Sequence, residues 1–382
     1  MALSLRWQIL AICTIARLAM GYQFQSIASL SVPLQKLHDL NLAQIGVLIG
    51  LYLLPGILVA IPGGILGARF GDKRIAALGL GLMALGGVVM ALAPDAATLT
   101  AGRATSGAGA VLFNITVTKM VTDWFIGREL VLAMSILVNS WPIGIGIALW
   151  VFSWATATDA VPLAMGSTAL LSLLGLLAVA LGYRRAPDSP PVGKLTLLAK
   201  SEIAPLVMAS LPWMLFNAAY AIFVSFTPGY LVQRGIEAGQ AAAAAAIGTL
   251  MFVVSVQVGG LLVQRFQRPV LIATIGLVGF ALTLSALLLG AAPLVLTVAA
   301  GLFGGLPAGV LVSLPSRVLS PASRSTGMGV FYTMFYAGMF VFPGLAGWAA
   351  QVSGSPSAPL GIAIAVLVIA ALILPLGARS KA

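Results

Sequence analysis

The sequence predicts an all-α membrane protein with about twelve transmembrane helices, arranged as two pseudo-symmetric halves of six with both termini in the cytoplasm. Three observations support this fold class: an extremely apolar composition, long apolar runs along the whole chain, and a short motif that occurs twice. Of the 382 residues, 60% are hydrophobic and only 8% are charged. A soluble globular protein carries about 25% charged residues, so this composition excludes a water-soluble surface.

The apolar runs set the number of predicted helices. A run of about 20 residues crosses a hydrocarbon core of about 30 Å as a helix, which satisfies its own backbone groups. A membrane barrel would need strands of about ten residues with alternating polarity, and unbroken apolar stretches argue against it. The predicted spans are 7–30, 43–67, 75–93, 97–118, 130–154, 161–182, 203–227, 240–263, 269–290, 293–315, 325–350 and 358–378.

The placement of the basic residues gives the topology. A formal charge of +11 could indicate a nucleic-acid partner. However, the predicted topology puts most of the Lys and Arg side chains on the cytoplasmic side, as the positive-inside rule requires. We therefore predict that the partner of the protein is a lipid bilayer and not a nucleic acid. The predicted location is the plasma membrane, which would be the inner membrane of a bacterium, and the protein crosses it several times. The inside positions are Arg6, Arg69, Lys73, Arg74, Lys119, Arg128, Arg184, Arg185, Lys194, Lys200, Arg265, Arg268, Arg317, Arg324, Arg379 and Lys381.

The sequence lacks the residues that enzyme and metal chemistry need. Cys13 is the only cysteine and His38 the only histidine, so neither a disulfide within the chain nor a cysteine metal cluster is expected. A Ser-His-Asp site is not expected either, because His38 falls in a predicted loop. The first apolar run has no small-residue cleavage site, which favours a retained helix over a signal peptide. We predict no enzyme activity and no cofactor.

The internal repeat divides the chain into 1–182 and 201–382, joined by a cytoplasmic linker at 183–200 that is rich in charge and proline. The motif GGIL followed by RF at 63–70 recurs at 259–266, an offset of 196 residues. Weaker similarity follows, between 133–136 and 327–330. Parallel six-helix repeats are typical of one large class of transporters, which bind substrate near the bilayer midplane.

Two motifs resemble those of the major facilitator superfamily, and the resemblance covers nearly the whole chain. The run GILGARFGDKR at 64–74 is similar to the family signature between helices two and three, and RATSGAG at 103–109 is similar to its fourth-helix motif. The resemblance implies a conformational role for Gly64, Arg69, Gly71, Asp72, Lys73, Arg74, Arg103 and Gly107. One departure matters, since Ala68 replaces the usual acidic residue. An ion pair in this loop that forms in one conformational state, here called a charge lock, is therefore absent or is rebuilt through Asp72.

A third stretch resembles a narrower group. The run KMVTDWF at 119–125, followed by Arg128, is similar to the loop after helix four of cyanate, nitroimidazole and related organic-anion permeases. The nitrate-transporter signature is not matched, because Asn139 is followed by Ser-Trp-Pro and not embedded in glycines. The resemblance implies a monomeric permease for a small anionic solute, and it leaves open a coupling proton or an exchanged anion.

Arg17 is the main candidate for the anion site. It lies near the centre of the first span, where a charge costs several kcal/mol. Every carboxylate, in contrast, falls in a predicted loop or at a helix end. Two interpretations stay open: Arg17 binds an anion by charge-assisted bonds, helped by Gln25 and Tyr22, or it bonds helix carbonyls or a neighbouring polar side chain. The residues that share its helix face are Cys13, Thr14, Gly21, Phe24 and Gln25.

Further candidates lie on other helices. For each aromatic residue, ordinary packing competes with substrate binding, and Asn114 could equally bond a neighbouring helix. Arg103 could likewise serve only to tie helix four to its neighbours, and Pro142 is expected to kink helix five. These candidate substrate-binding residues are Asn114, Asn139, Trp141, Trp213, Asn217, Tyr220, Tyr332 and Tyr336.

The prediction is thus a secondary transporter that works by alternating access. The alternative is an efflux pump for hydrophobic drug-like compounds, favoured by the aromatic candidates. An efflux pump that binds organic cations needs a buried carboxylate, and the sequence places none near the bilayer midplane. A channel would require a polar ring along a pore, and none is evident.

Overall fold

The structure, a computed structural model, describes residues 4–127, 129–152, 158–187, 189 and 197–377, and every regular element in these ranges is helical. The first half of the chain forms α1 (Leu5–Ser29), α2 (Ser31–His38), α3 (Leu42–Gly50), α4 (Pro55–Phe70), α5 (Asp72–Ala91), α6 (Ala96–Phe125), α7 (Leu130–Val151) and α8 (Val161–Gly182). The second forms α9 (Lys200–Gln233), α10 (Ala238–Phe266), α11 (Pro269–Leu288), α12 (Pro293–Gly305), α13 (Ala308–Ser313), α14 (Pro315–Val318), α15 (Arg324–Ser353) and α16 (Ala358–Gly377).

The helices lie where the apolar runs predict them. Ten segments of the described chain are long and apolar enough to cross a membrane, and they coincide with ten of the predicted spans. The chain is therefore a multi-pass membrane protein. Helices α1 and α6, of 25 and 30 residues, occupy the other two predicted positions. They are less apolar because α1 carries two arginines, α6 carries one arginine, a lysine and an aspartate, and both carry further polar side chains.

Two predicted spans are interrupted where one continuous helix was expected. The second span divides into α3 and α4 at residues 51–54, and the tenth divides into α12, α13 and α14. A proline lies at each break. Pro55 and Pro315 are the first residues of α4 and α14, and Pro307 lies between α12 and α13. A proline has no backbone N–H and cannot donate the helical bond to the carbonyl four residues earlier, which explains the interruptions.

The chain forms two compact units, here called unit 1 and unit 2. Unit 1 comprises Met1–Ile126, Asn139–Leu198 and Ser320–Thr333. Unit 2 comprises Gly127–Val138, Ala199–Leu319 and Met334–Ala382. The two unit boundaries that lie inside helices fall within α7 and α15. The division into repeats at 1–182 and 201–382 stays a prediction.

Part of the predicted cytoplasmic surface lies outside the described residues. This applies to much of the linker at 183–200, and also to both ends of the chain. Several residues used in the topology and linker predictions are among them. These residues are Arg128, Asp188, Pro190, Pro191, Lys194, Arg379 and Lys381.

Glycines set the close helix contacts in unit 1. A Cβ added to Gly79 of α5 would lie 2.6 Å from the Gly109 carbonyl oxygen, and one added to Gly109 of α6 would lie 2.5 Å from the Gly79 carbonyl oxygen. The two backbones are therefore in mutual contact, as small residues allow between membrane helices.

The repeated motif makes an equivalent contact in each unit. In unit 1 a Cβ on Gly64 of α4 would collide with the Ser325 carbonyl oxygen and approach Gly329 of α15. In unit 2 the matching Gly260 of α10 would bring a Cβ to 2.7 Å from the Ser135 Oγ of α7. The second glycine of the motif thus serves the same purpose in both copies, which is to admit a crossing helix.

We expect Gly109→Ala to lower the thermal stability of the protein in detergent. Its Cβ overlaps the Gly79 carbonyl, and overpacking of this kind costs about 1–3 kcal/mol. Gly166→Ala on α8 is the matched control, because a Cβ there meets nothing within 4 Å. Equal melting temperatures for the two variants in a thermal-unfolding assay would contradict the predicted contact.

Candidate functional site

The guanidinium of Arg17 lies in a polar network inside unit 1. Arg17 is near the middle of α1 and only 7% exposed. Its Nε donates to Oδ1 of Asn114 on α6 at 3.1 Å, and its Nη1 donates to Oγ of Ser140 on α7 at 3.0 Å. Both of these partners are neutral. The structure thus brings Arg17 together with the predicted Asn114, and it adds Ser140, which the sequence did not indicate.

A close helix crossing brings Ser140 to Arg17. A Cβ added to Gly21 of α1 would overlap the Trp141 carbonyl oxygen, and one on Gly144 of α7 would overlap the Leu18 carbonyl oxygen. Since Gly21 is one turn beyond Arg17, the crossing sets Ser140 beside the guanidinium. The Trp141 ring packs against the ring of Phe24, with centroids 5.0 Å apart.

The network extends to α15 through Thr118. The Thr118 hydroxyl donates to the Asn114 carbonyl oxygen at 2.8 Å and lies 2.7 Å from the hydroxyl of Tyr332. Because the single proton of Thr118 is used on that carbonyl, the Tyr332 hydroxyl is the donor to Thr118. Tyr332 is 2% exposed. Four helices, α1, α6, α7 and α15, therefore contribute to one buried polar network.

The acidic residues lie elsewhere in the fold, as the sequence predicts. The eight carboxylates that the structure describes are all at or just beyond helix ends, or in a short 3-10 turn at residues 158–160. Arg17 is twelve residues into α1. Burial of a charge at this depth is costly unless polar groups surround it, and the Asn114 and Ser140 side chains are such groups.

Two other predicted neighbours of Arg17 bond elsewhere in unit 1. The hydroxyl of Tyr22 lies 2.8 Å from Ser167 Oγ, and the amide of Gln25 donates to Ser29 Oγ at 3.3 Å. Asn139 is buried next to Ser140. Sequence reasoning missed Gln23, which is fully buried and whose amide donates to the Met83 carbonyl oxygen at 2.9 Å.

The predicted aromatic residues of unit 2 form a cluster of rings. Trp213 stacks on Phe335 with centroids 6.1 Å apart, and Tyr220 stacks on Phe252 at 4.1 Å. Tyr336 is buried beside Phe335. The side chain of Asn217 donates to the Trp213 carbonyl oxygen at 2.7 Å, one turn back on α9. These contacts are ring packing and one local hydrogen bond, and substrate binding by these residues stays a prediction.

Arg103 is a structural residue by its contacts. Its side chain is fully buried in unit 1. It donates to the carbonyl oxygens of Leu48, Gln23 and Phe24 at 2.8–2.9 Å, and it lies over the Tyr52 ring at 4.4 Å. The five donors of a guanidinium suit such a set of carbonyls. Of the two sequence interpretations, the geometry favours a residue that ties helices together.

A second charged cluster, here called the ionic cluster, lies at the ends of α5, α6 and α15 within unit 1. Lys119 Nζ contacts Asp72 Oδ2 at 2.5 Å and Asp123 Oδ2 at 2.7 Å. Arg324 pairs with Asp123, and Ser325 donates to Asp72 Oδ1 at 3.0 Å. The side chains are 3–13% exposed. Asp72 therefore takes part in a buried ion pair, as the second of the two alternatives for the altered motif requires, and its role as a charge lock stays a prediction.

The remaining motif residues lie at several places in unit 1. Gly71 ends α4 with φ 89°, a conformation that favours glycine. Lys73 donates to the Tyr183 carbonyl oxygen at 3.1 Å, while Arg69 and Arg74 are exposed. Two more residues were predicted to have a conformational role. A Cβ on Gly107 of α6 would lie 2.7 Å from the Tyr52 carbonyl oxygen, and Pro142 lies inside α7.

The long apolar helices define a multi-pass membrane protein. Residues 13–293 match the sequence profile of the Major Facilitator Superfamily, which is well over half of the chain. The chain therefore belongs to this superfamily, whose members are secondary transporters and not enzymes. No curated protein matches it in sequence.

Solved structures of the superfamily share its fold. FucP of E. coli, in the outward conformation, has a TM-score of 0.81 and 16% identity over 97% of this chain and 99% of its own. The proton:xylose symporter XylE has a TM-score of 0.74 and 14% identity, over 99% and 96%. The human organic anion transporter MFSD10 has a TM-score of 0.75 and 15% identity, over 97% and 99%.

We expect Asp123→Asn to destabilise the protein more than Asp72→Asn, because Asp123 binds two cations and Asp72 one. Loss of one partner from a buried ion pair costs about 3–5 kcal/mol. Thermal unfolding in detergent measures the difference, with the exposed Asp159→Asn as control.

A double-mutant cycle with Arg324→Gln tests the pairing directly. The double variant should be less destabilised than the sum of the single variants. Strict additivity would show that Asp123 and Arg324 do not interact.

Proposed function

We propose that the chain is a secondary transporter with twelve membrane-spanning helices that carries a small anionic solute by alternating access. In this proposal the guanidinium of Arg17 binds the anion. We also assign the chain to the cyanate, nitroimidazole and organic-anion permease group that its motif at 119–125 resembles. The observation that carries the proposal is the polar network around Arg17.

The Arg17 network carries its positive charge on a guanidinium among polar side chains. Oδ1 of Asn114 and Oγ of Ser140 both accept from Arg17, and no carboxylate takes part in these two bonds. A guanidinium pairs most strongly with a negatively charged ligand that accepts hydrogen bonds. A carboxylate or a comparable small anion is such a ligand, and charge-assisted bonds make it the strongest one.

Asn114 and Ser140 also orient the guanidinium before an anion arrives. A side chain held by two neighbouring helices loses less rotamer entropy on binding than a mobile surface arginine would. The same low-dielectric surroundings that make the buried charge costly strengthen its attraction for an anion. Anion binding thus offsets part of the free energy that burial of the Arg17 charge costs.

The expected loss in Arg17→Ala follows from these bonds. A hydrogen bond to a charged group contributes about 1.5–3 kcal/mol, which corresponds to roughly a 10- to 100-fold change in affinity. We expect Arg17→Ala to lose uptake and counterflow of the transported anion in proteoliposomes, and Arg17→Lys to retain part of both. Lys36→Ala, which removes an exposed cation, should leave transport unchanged.

Competition with cyanate, acetate and benzoate separates the two candidate functions. Inhibition of wild-type uptake by these anions, together with the loss of uptake in Arg17→Ala, supports the anion permease. Efflux of hydrophobic compounds is favoured by the aromatic cluster of unit 2, and it predicts inhibition by neutral or cationic aromatic compounds that Arg17→Ala does not alter. Absence of counterflow for every substrate would contradict a carrier of either kind.

The coupling species can be determined in the same vesicles. FucP and XylE are described as proton symporters, so a coupling proton is one candidate for this chain and an exchanged anion is the other. A pH gradient that drives accumulation without internal anion supports the proton. Uptake that requires internal anion supports exchange.

A further inference from the structure

Four exposed cations lie together at one end of unit 1 and are here called the basic patch. The patch comprises Lys73 and Arg74 at the start of α5, and Arg184 and Arg185 just beyond the end of α8. Nζ of Lys73 donates to the Tyr183 carbonyl oxygen at 3.1 Å. This bond holds the chain that follows α8 against the first turn of α5, so the two parts of the patch share one surface.

A second bond fixes the backbone of the patch. Nε1 of Trp124, at the end of α6, donates to the Arg184 carbonyl oxygen at 2.9 Å. Tyr183 and Ala186, which flank the two arginines, are buried in unit 1. The arginine side chains themselves are exposed. A ligand that binds them therefore does not need to order the backbone that carries them.

The carboxylates next to the patch are already paired. Asp72 and Asp123 belong to the ionic cluster, and their side chains are only 13% and 3% exposed. Within the part of the chain that the structure describes, the side chains of Arg74, Arg184 and Arg185 make no hydrogen bond or ion pair. The patch therefore presents positive charge that neither of the two neighbouring carboxylates neutralises.

Exposed leucines continue from the patch along both of its helices. Leu78 of α5 is 49% exposed, and Leu181 of α8 is 84% exposed. The two helices pack side by side, because a Cβ on Gly81 of α5 would lie 3.5 Å from the Leu176 side chain of α8. Both helices are long and apolar enough to cross a membrane. The acyl chains of lipids therefore meet this pair of helices directly beside the patch.

The spacing between leucines and cations matches the polar layer of a bilayer. Arg74 is one helical turn from Leu78 on α5, and one turn rises about 5.4 Å. The headgroup layer on each side of the hydrocarbon core is about 5–8 Å thick. A cation one turn beyond a lipid-facing leucine therefore lies among the phosphate groups of the lipids.

We propose that the basic patch is a binding site for one anionic phospholipid, whose acyl chains lie against α5 and α8. The guanidinium groups of Arg184 and Arg185 bind its phosphate by charge-assisted hydrogen bonds, while Lys73 and Arg74 add positive charge. A zwitterionic phospholipid has the same phosphate but also carries a cation, which the patch repels. The inference is independent of the anion site proposed at Arg17.

Native mass spectrometry of the full-length protein in a mild detergent tests the proposal. The probe is phosphatidylglycerol, compared with phosphatidylcholine of the same acyl chains. One Lys or Arg at an anionic lipid surface contributes about fivefold in affinity. We therefore expect Arg184→Gln with Arg185→Gln to weaken phosphatidylglycerol binding about 25-fold and to leave phosphatidylcholine binding unchanged. Arg184→Lys with Arg185→Lys keeps both charges and should bind within about threefold of the wild type.

A pair of exposed arginines in unit 2 is the matched control. Arg265 lies in the last turn of α10, and Arg268 immediately precedes α11. The carboxylate of Glu129 accepts from Gln264, the neighbour of Arg265, at 3.2 Å, so this pair has an acidic group nearby. Arg265→Gln with Arg268→Gln removes the same charge and should change phosphatidylglycerol affinity less than about threefold. Both double variants should unfold at the wild-type temperature without added lipid, because the replaced side chains are exposed.

Three results would overturn the proposal. The first is equal affinity of the wild type for phosphatidylglycerol and phosphatidylcholine. The second is an equal loss of affinity in the two double glutamine variants, which would make net charge and not the patch responsible. The third is displacement of phosphatidylglycerol by glycerol 3-phosphate at a similar concentration, which would identify a site for a soluble phosphate.

Discussion

The need to stabilise one arginine in the middle of an apolar helix governs the organisation of unit 1. A guanidinium at that depth needs polar partners from neighbouring helices, because its own helix satisfies its backbone internally. Asn114 and Ser140 are those partners. Ser140 reaches Arg17 because glycines let α1 and α7 cross at backbone contact. A charge, two neutral side chains and a pair of glycines therefore form one interdependent arrangement.

The buried charges of the ionic cluster follow a different rule. There, opposite charges compensate one another, with Lys119 between two carboxylates and Arg324 on Asp123. At Arg17, the two identified side-chain partners are neutral. Buried opposite charges that pair with one another fix a structure. The ionic cluster is accordingly given a conformational role, and the anion site is proposed at Arg17.

The sequence predicted the helices well because membrane spans are set by length and apolarity alone. It also predicted that Arg17 and Asn114 would belong to one site. It could not predict Ser140 or Gln23, since isolated polar residues in apolar runs carry no periodic signal. Tyr22 and Gln25 share or neighbour the Arg17 face on the helical wheel, yet they bond Ser167 and Ser29. Side-chain direction depends on which helix packs alongside, and one sequence does not contain that information.

The late position of Arg324 in the chain has a consequence for biogenesis. The segment Ser320–Thr333 completes unit 1, yet it follows Ile126 by almost two hundred residues. During synthesis, Asp123 enters the bilayer interface long before Arg324 leaves the ribosome, with Lys119 as its early cation. Unit 1 therefore matures only after most of unit 2 has been inserted, and a chain truncated before α15 leaves the acidic end of α6 without its guanidinium.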